Sequence, residues 1–284
     1  MLNSMTPLLQ IRNLTVKFAA ARAAAHTAVD DVSFDLDPAE IVGLMGESGC
    51  GKTTLSLALL GLLGDEQAEI SGSVVFRGRE LIGLDERSLE KVRGAKISLV
   101  PQEPGMALNP VMRVGEQIAE VLHAHKKWEW KQCRVEAEAW LNMVGLRPIK
   151  RIYASYPHQL SGGQLQRVVL AQALAGEPEI MIADEPTASL DCLTQAGFIV
   201  LLQELKAQLG ISVLLISHSP QVQASLADRL LVMKEGRIVQ ETRFEQLRRQ
   251  ELGAHTEELL GLPSRLRGEA DQQQESVVEE ATTP

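Results

Sequence analysis

The sequence predicts an α/β fold: a buried, mostly parallel sheet with helices packed on it, an antiparallel β-subdomain near its start and an inserted helical lobe. Three observations predict it. Short continuous apolar runs, "IVGLMG", "KISLV", "EIMIA" and "ISVLLIS", alternate with helical patterns, as strands buried on both faces do. Two early segments, "LLQIRNLTVKF" and "AVDDVSFDL", instead alternate apolar and polar residues, as strands with one wet face do. Between the second and third apolar runs, the block from Val114 to Val144 carries long amphipathic helices and its own tryptophans.

Taken in order, Leu8 to Phe18 and Ala28 to Leu36 read as antiparallel strands joined by the loop "AAARAAAHT". "IVGLMG" reads as a central parallel strand, and "TTLSLALLGLLG" as a helix ending at Gly64. "ISGSVVFRGREL" gives a strand and turn, "DERSLEKVRG" a short exposed helix, and "KISLVPQ" a buried strand stopped by Pro101. After the helical lobe, "GGQLQRVVLAQALAG" is a helix, "EIMIADEP" a strand, "QAGFIVLLQELKAQLG" a helix and "ISVLLISHS" a strand. A hairpin, "RLLVMKEGRIVQ", turns at Glu235 and Gly236. The tail "GEADQQQESVVEEATTP" is acidic, polar and free of aromatics, a disordered composition. There is no internal repeat.

A chain of 284 residues suits one core with an inserted lobe and a tail. Its 45% hydrophobic and 4% aromatic content means that alanine, leucine and valine fill that core. A formal net charge of -9 argues against sequence-independent binding to nucleic acid, which needs a dense positive face. Cys50, Cys133 and Cys192 lie far apart with no CxxC spacing, so neither a disulfide framework nor a zinc site is expected, and a reducing cytosol suits the chain. The N-terminus has no basic run followed by an apolar core, and no stretch approaches the roughly 20 apolar residues that span a bilayer. Work at a membrane would therefore need a partner that spans it.

"GESGCGKT" matches the phosphate-loop pattern GxxxxGK[ST] in full, between an apolar strand and a helix. Gly46, Gly49 and Gly51 let backbone N–H groups point inward around a phosphate chain at the positive end of a helix. Lys52 would reach the β and γ phosphates, and Thr53 would place its hydroxyl on Mg²⁺. A plain glycine-rich turn would not require the Lys-Thr pair. "EIMIADEP" brings Asp184 and Glu185 to the carboxyl end of a buried strand, where ligands sit in α/β sheets. Asp184 suits the water shell of Mg²⁺, and Glu185 can polarise the water that attacks the γ phosphate. Gln102 and His218 stand where two further strands end; each alone is ordinary, and together with the phosphate loop they form a ring of γ-phosphate sensors on neighbouring strands.

"LSGGQLQR" opens a second anion-binding helix: Ser161 is an N-cap, and Gly162 and Gly163 allow close backbone approach. One nucleotide fills one phosphate loop. A second such terminus is useful only if it closes over a nucleotide held elsewhere, and two copies arranged head to tail are the simplest solution.

These motifs resemble, in content and order, those of the ATP-binding subunits of ABC transporters. The phosphate loop with Gly46, Glu47, Ser48, Gly49, Cys50, Gly51, Lys52 and Thr53, Gln102, the signature Leu160, Ser161, Gly162, Gly163 and Gln164, the Walker B strand to Glu185, the D-loop Ser189, Leu190 and Asp191, and the switch His218 cover roughly residues 8 to 245. The resemblance implies a P-loop NTPase core over residues 1–245, with the helical lobe at about 110–175, and a partly disordered tail over 246–284. "PQEPGMALNPVMRVGEQIAEVL" and the degraded tail element "GAHTEELLGLPS" are similar to the branch that energises uptake of peptides, nickel and related small solutes.

The resemblance further implies ATP and Mg²⁺ as cofactors, with the metal near Thr53, Gln102 and Asp184, and Lys52, Thr53 and Thr54 on the nucleotide in cis. Ser161 to Gln164 would act in trans on a second ATPase subunit, identical or paralogous. Two integral membrane permease subunits and, indirectly, an extracytoplasmic solute-binding protein complete the implied assembly at the cytoplasmic face of the membrane. Phe18 is the candidate for stacking on adenine, with His26 as the alternative. Ser219 stands where the family usually has aspartate, and the tail lacks the cysteine group of an iron–sulfur cluster. A soluble ABC ATPase working on nucleic acid or ribosomes is the competing reading. It fits less well, because the chain has one set of motifs, a short lobe and acidic charge. A small-molecule kinase would leave "LSGGQ" and "SLD" unexplained.

Trp128, Trp130 and Trp140 read as lobe packing, Cys50 as a small loop residue, and "RRQE" as a solvated helix face. His123, His125 and His158 do not form a metal set.

Overall fold

The computed structural model describes residues 6–18, 26–64, 68–243 and 254–260. Strands β1 (Leu9–Phe18), β2 (His26–Leu36), β4 (Ala68–Phe76) and β5 (Arg79–Glu80) form a four-stranded sheet in the order β2-β1-β4-β5, with antiparallel pairing throughout. Strands β3 (Ile41–Gly46), β6 (Ile97–Val100), β7 (Ile180–Asp184), β8 (Ser212–Ile216), β9 (Arg229–Lys234) and β10 (Arg237–Arg243) form a second sheet, ordered β10-β9-β3-β8-β7-β6. All its pairs are parallel except β9–β10, the terminal hairpin.

The apolar runs are continuous because the central strands are covered on both faces. On β7, Ile180 and Ile182 point into the core shared with the antiparallel sheet, while Met181 and Ala183 point into the core shared with the helices. Leu214 and Ile216 alternate with Val213 and Leu215 in the same way on β8. Each of these valine, leucine, isoleucine and methionine side chains, fully buried, contributes about 1.5–3 kcal/mol.

Helix α1 (Lys52–Leu59) follows β3, and it stops short of the Gly64 end read from the sequence. The Leu62 N–H turns back to Leu57 O at 2.9 Å and the Gly61 N–H to Ala58 O at 3.0 Å, which closes the helix one turn early. Helix α2 (Glu86–Glu90) is short with no buried residue, capped by Asp85. Helix α3 (Pro104–Ala107) follows the bend after β6.

Helices α4 (Val114–Lys126), α5 (Trp130–Met143) and α6 (Ile149–Ala154) make up the helical segment, and α7 (Gly162–Ala175) packs against α4 and α5 while also touching β6. Ile118, Leu122, Ala137 and Leu141 from α4 and α5 join Val168 and Leu174 of α7 in one core. Trp140 is buried and Trp128 packs on this core, but Trp130 is 42% exposed and stacks on His123, so packing explains two of the three tryptophans. The remaining helices are α8 (Cys192–Leu209), α9 (Pro220–Leu226) and α10 (Ala254–Leu259). Helix α8 begins three residues before "QAG" because Asp191 caps it, accepting from the Leu193 and Thr194 N–H groups. The "RRQE" run and the acidic tail lie outside the described residues.

Candidate active site

The parallel register sets one edge of the sheet as the site. Strands β3, β8, β7 and β6 stand side by side, and at their carboxyl ends the chain carries the phosphate loop, His218, Asp184 with Glu185, and Gln102 respectively. Gln102 and His218 are thus separated by β7 rather than on adjacent strands, and the two carboxylates lie between them.

The loop from Glu47 to Gly51 is shaped by close approach. Gly51 has φ 109°, and a Cβ there would lie 2.1 Å from Ala28 O, so the antiparallel subdomain presses directly on the loop and only glycine fits. Lys52 folds back over the loop, its Nζ donating to Gly46 O at 2.8 Å and Glu47 O at 2.7 Å. Cys50 is buried beneath, with its Sγ 3.7 Å from that Nζ, which fits its reading as a small packing residue.

From the first turn of α1, Thr53 Oγ1 donates to Asp184 Oδ2 at 3.0 Å. Burial pushes the Asp184 carboxyl above its ordinary range; the Glu185 charge adds to this, and the Thr53 hydrogen bond and Lys52 oppose it. Glu185 is 8% exposed and holds φ 48°, a left-handed conformation that costs about 1–3 kcal/mol for a residue with a side chain. Its N–H donates to Ile216 O, and its Oε1 accepts from both the backbone N–H and the Nδ1 of His218, each at 2.9 Å. Its Oε2 is buried with no hydrogen-bond partner among the described residues. A strained, half-satisfied carboxylate beside a phosphate loop marks this cleft as the candidate site.

These groups share one cleft of about 630 Å³ lined by Gly46, Glu47, Ser48, Gly49, Gly51, Lys52, Thr53, Thr54, Gln102, Asp184, Glu185 and His218. Phe18, His26, Ala28 and Leu259 close its other side. Phe18 and His26 face each other as a β1–β2 register pair, so both adenine candidates come to the same wall. The size falls in the usual range for small-molecule sites. The oxygen donors of Thr53, Asp184 and Gln102 are the hard ligands that Mg²⁺ prefers, and inward N–H groups beside a lysine fit a polyphosphate.

The signature and the D-loop are not part of this cleft. Ser161 caps α7, its Oγ accepting from the Gln164 N–H at 3.4 Å while Gln164 Oε1 accepts from the Ser161 N–H at 3.0 Å. Gly163 abuts α8: a Cβ there would lie 2.6 Å from Thr194 Cγ2, and Thr194 is bonded to the cap Asp191. The two motifs therefore lie side by side, outside the cleft that Lys52 lines. Ser219, in place of the aspartate usual at the switch, caps α9 through the Val222 N–H at 3.4 Å.

Two contributors were not found from the sequence. Gln223, fully buried on α9, donates through Nε2 to Leu44 O, Leu215 O and Ser217 O, tying together the ends of β3 and β8 that carry the phosphate loop and the switch. A polar residue on the inner face of "PQVQASL" was the available signal. Leu259 and its helix α10 fall within "GAHTEELLGLPS", which the sequence marked as a degraded tail element and not as part of the site. No group of three or more histidine, cysteine and acidic residues among the described residues forms a metal cluster. No described helix is long and apolar enough to cross a membrane.

Comparison with known proteins agrees with this geometry. Residues 29–188 match the family model "ABC transporter". The chain is 40% identical over 243 residues to an oligopeptide transport ATP-binding protein of Haemophilus influenzae, covering 86% of this chain and 75% of that protein. It is 39% identical over 263 residues to a dipeptide transport ATP-binding protein of Bacillus subtilis, covering 92% and 78%. Among solved structures, a dimeric ATP-binding cassette in a post-hydrolysis state with ADP and Pi superposes with TM-score 0.73 at 30% identity, covering 83% of this chain and 98% of that one. With more than half its length matched by the family model and close to its full length matched by such relatives, this chain belongs to the ABC transporter family, as an ATP-binding and ATP-hydrolysing subunit.

Proposed function

We propose that this chain powers uptake of a small solute through separate membrane permease subunits, the solute being of the peptide, nickel or metal-chelate class, with a peptide favoured. The observation that carries the mechanism is the division of the site: everything needed to hold and attack a triphosphate shares one cleft, while the anion-binding terminus at Ser161 lies outside it. The two halves are complementary if two ATPase subunits pair head to tail, each covering the other's nucleotide, and the related cassette solved as a dimer supports that arrangement. The peptide class is supported by the oligopeptide and dipeptide transport relatives.

In this reading the loop amides and Lys52 bind the β and γ phosphates, and Phe18 or His26 takes the adenine. Thr53, Asp184 and Gln102 would hold Mg²⁺, which would supply charge neutralisation on the phosphate oxygens. Glu185 accepts the proton of the attacking water through its unpartnered Oε2, and His218 steadies Glu185 through Oε1 and faces the γ phosphate. Signature residues Leu160 to Gln164 and D-loop residues Ser189 to Asp191 complete the partner's site. The loop after Gln102 and the helical lobe, at about 110–175 within an ATPase domain over 1–245, receive the permeases at the cytoplasmic face.

The test is co-purification with two permeases and their solute-binding protein in proteoliposomes. Peptide-loaded receptor should stimulate ATP hydrolysis and drive peptide uptake. Stimulation by a nickel chelate alone would reassign the solute, and stimulation by RNA or ribosomes with none by any receptor would overturn the importer reading.

A further inference from the structure

Residues 254–260 come back to the nucleotide cleft. Helix α10 packs against a patch of the large sheet made by Met45, Leu230 and Val232, all fully buried, and covers it with Leu259 and Leu260. Thr256, 1% exposed, donates its hydroxyl to Gln240 Oε1 at 2.5 Å, which anchors the helix to β10. Two side chains of the same turn-and-a-half then meet the site. Leu259 is one of the residues lining the cleft. His255, whose side chain is 14% exposed, has its Nδ1 3.8 Å from Oε1 of Glu47 in the phosphate loop, and its Nε2 is buried with no hydrogen-bond partner among the described residues.

We propose that α10 is a working wall of the nucleotide site: Leu259 touches the bound nucleotide, and His255 is a positioning residue that steadies the phosphate loop through Glu47. This rests on the reading of the cleft as the ATP site. A six-residue helix has no stability of its own in water, so α10 is held by what it packs against. Leu259 belongs both to the patch that holds the helix and to the lining of the cleft. A nucleotide that contacts Leu259 therefore favours the docked helix, and by linkage the docked helix tightens the nucleotide by the same factor. The tail, which lies beyond the motor motifs in chain order, thereby acquires a means of sensing whether the site is filled.

The experiment uses the full chain, with ATP and ADP as probes. Hydrogen exchange of the amides at 254–260 is followed with and without nucleotide, and nucleotide affinity is measured for Leu259→Ser, His255→Ala, His255→Gln and Lys52→Ala. The wild-type chain should show slower exchange at 254–260 when ATP is bound. Leu259→Ser should weaken ATP about fivefold or more and abolish that protection. His255→Ala should speed exchange of the amides at 47–51 without nucleotide, and His255→Gln, a polar side chain able to donate to Glu47, should restore them. If Lys52→Ala loses ATP while exchange at 254–260 is indifferent to nucleotide and Leu259→Ser binds as wild type, the wall is refuted and the ATP site stands. If Lys52→Ala binds ATP as wild type, the ATP site itself is wrong. The exchange measurement on the unmodified chain decides the matter even if a variant fails to fold.

Discussion

Replacing Glu185 by glutamine separates the structural work of this side chain from its chemical work. Oε1 accepts both bonds from His218, and the glutamine carbonyl can keep them. The amide NH₂ then occupies the place of Oε2, which is buried without a partner among the described residues. Leaving that donor unsatisfied costs about 1–3 kcal/mol of fold stability, too little to unfold the chain or empty its cleft. What is lost is the proton acceptor. General-base catalysis is worth about 10²- to 10⁴-fold, equivalent to about 2.7–5.4 kcal/mol of barrier at 1.36 kcal/mol per tenfold. Phosphate release at saturating ATP with Mg²⁺ should fall by that factor, ATP affinity should stay within about threefold, and gel filtration with ATP should show a persistent closed dimer. Turnover within a fewfold of wild type would refute the base assignment, and loss of ATP binding would refute the claim that glutamine preserves the geometry.

Three further outcomes follow from the geometry. Ser161→Arg removes a helix cap, at about 1 kcal/mol, and blocks a surface outside this chain's own cleft; isolated monomers should bind ATP normally while hydrolysis is lost, and impaired binding by monomers would contradict the trans role. Asp184→Asn removes a carboxylate whose ionised form burial disfavours. Because that folded pKa is raised, the ionisation penalty is present above it and vanishes as pH falls below the unfolded value, so the ligand-free variant in EDTA should melt higher than wild type at neutral pH, with the gap closing in acid. An unchanged gap across pH would mean that the penalty is absent. Arg229→Ala leaves Glu40 buried, since Arg229 pairs with it through two hydrogen bonds of 3.0 and 3.1 Å with both side chains 10% exposed. Urea unfolding should show a loss of about 3–5 kcal/mol, and a loss below about 1 kcal/mol would show that water reaches the pair.

Much of the site was legible because its chemistry is carried by contiguous residues. "GESGCGKT" must be a loop between strand and helix, and "EIMIADEP" must release its acids where a buried strand ends, since each apolar run allows little else. Boundaries that depend on local hydrogen bonding were less legible: the early stop of α1 lies in the backward bonds from Gly61 and Leu62, and the early start of α8 lies in the Asp191 cap. Trp130 and Trp140 share α5, and the exposed one differs from the buried one in the side of the helix that it occupies.

The sequence by itself determined the parts: a phosphate loop, two acids, two further polar residues at strand ends and a second glycine-rich helix terminus, each specified by residue types at fixed local spacing. Only the tertiary structure decided their grouping. Strand order puts β7 between the strands of Gln102 and His218, the bond between Thr53 and Asp184 spans 131 residues, and Leu259 reaches the cleft from far along the chain. Local spacing governs which groups a turn or strand end can present, but distant segments meet through sheet register and the burial of apolar faces, and these are properties of the whole chain.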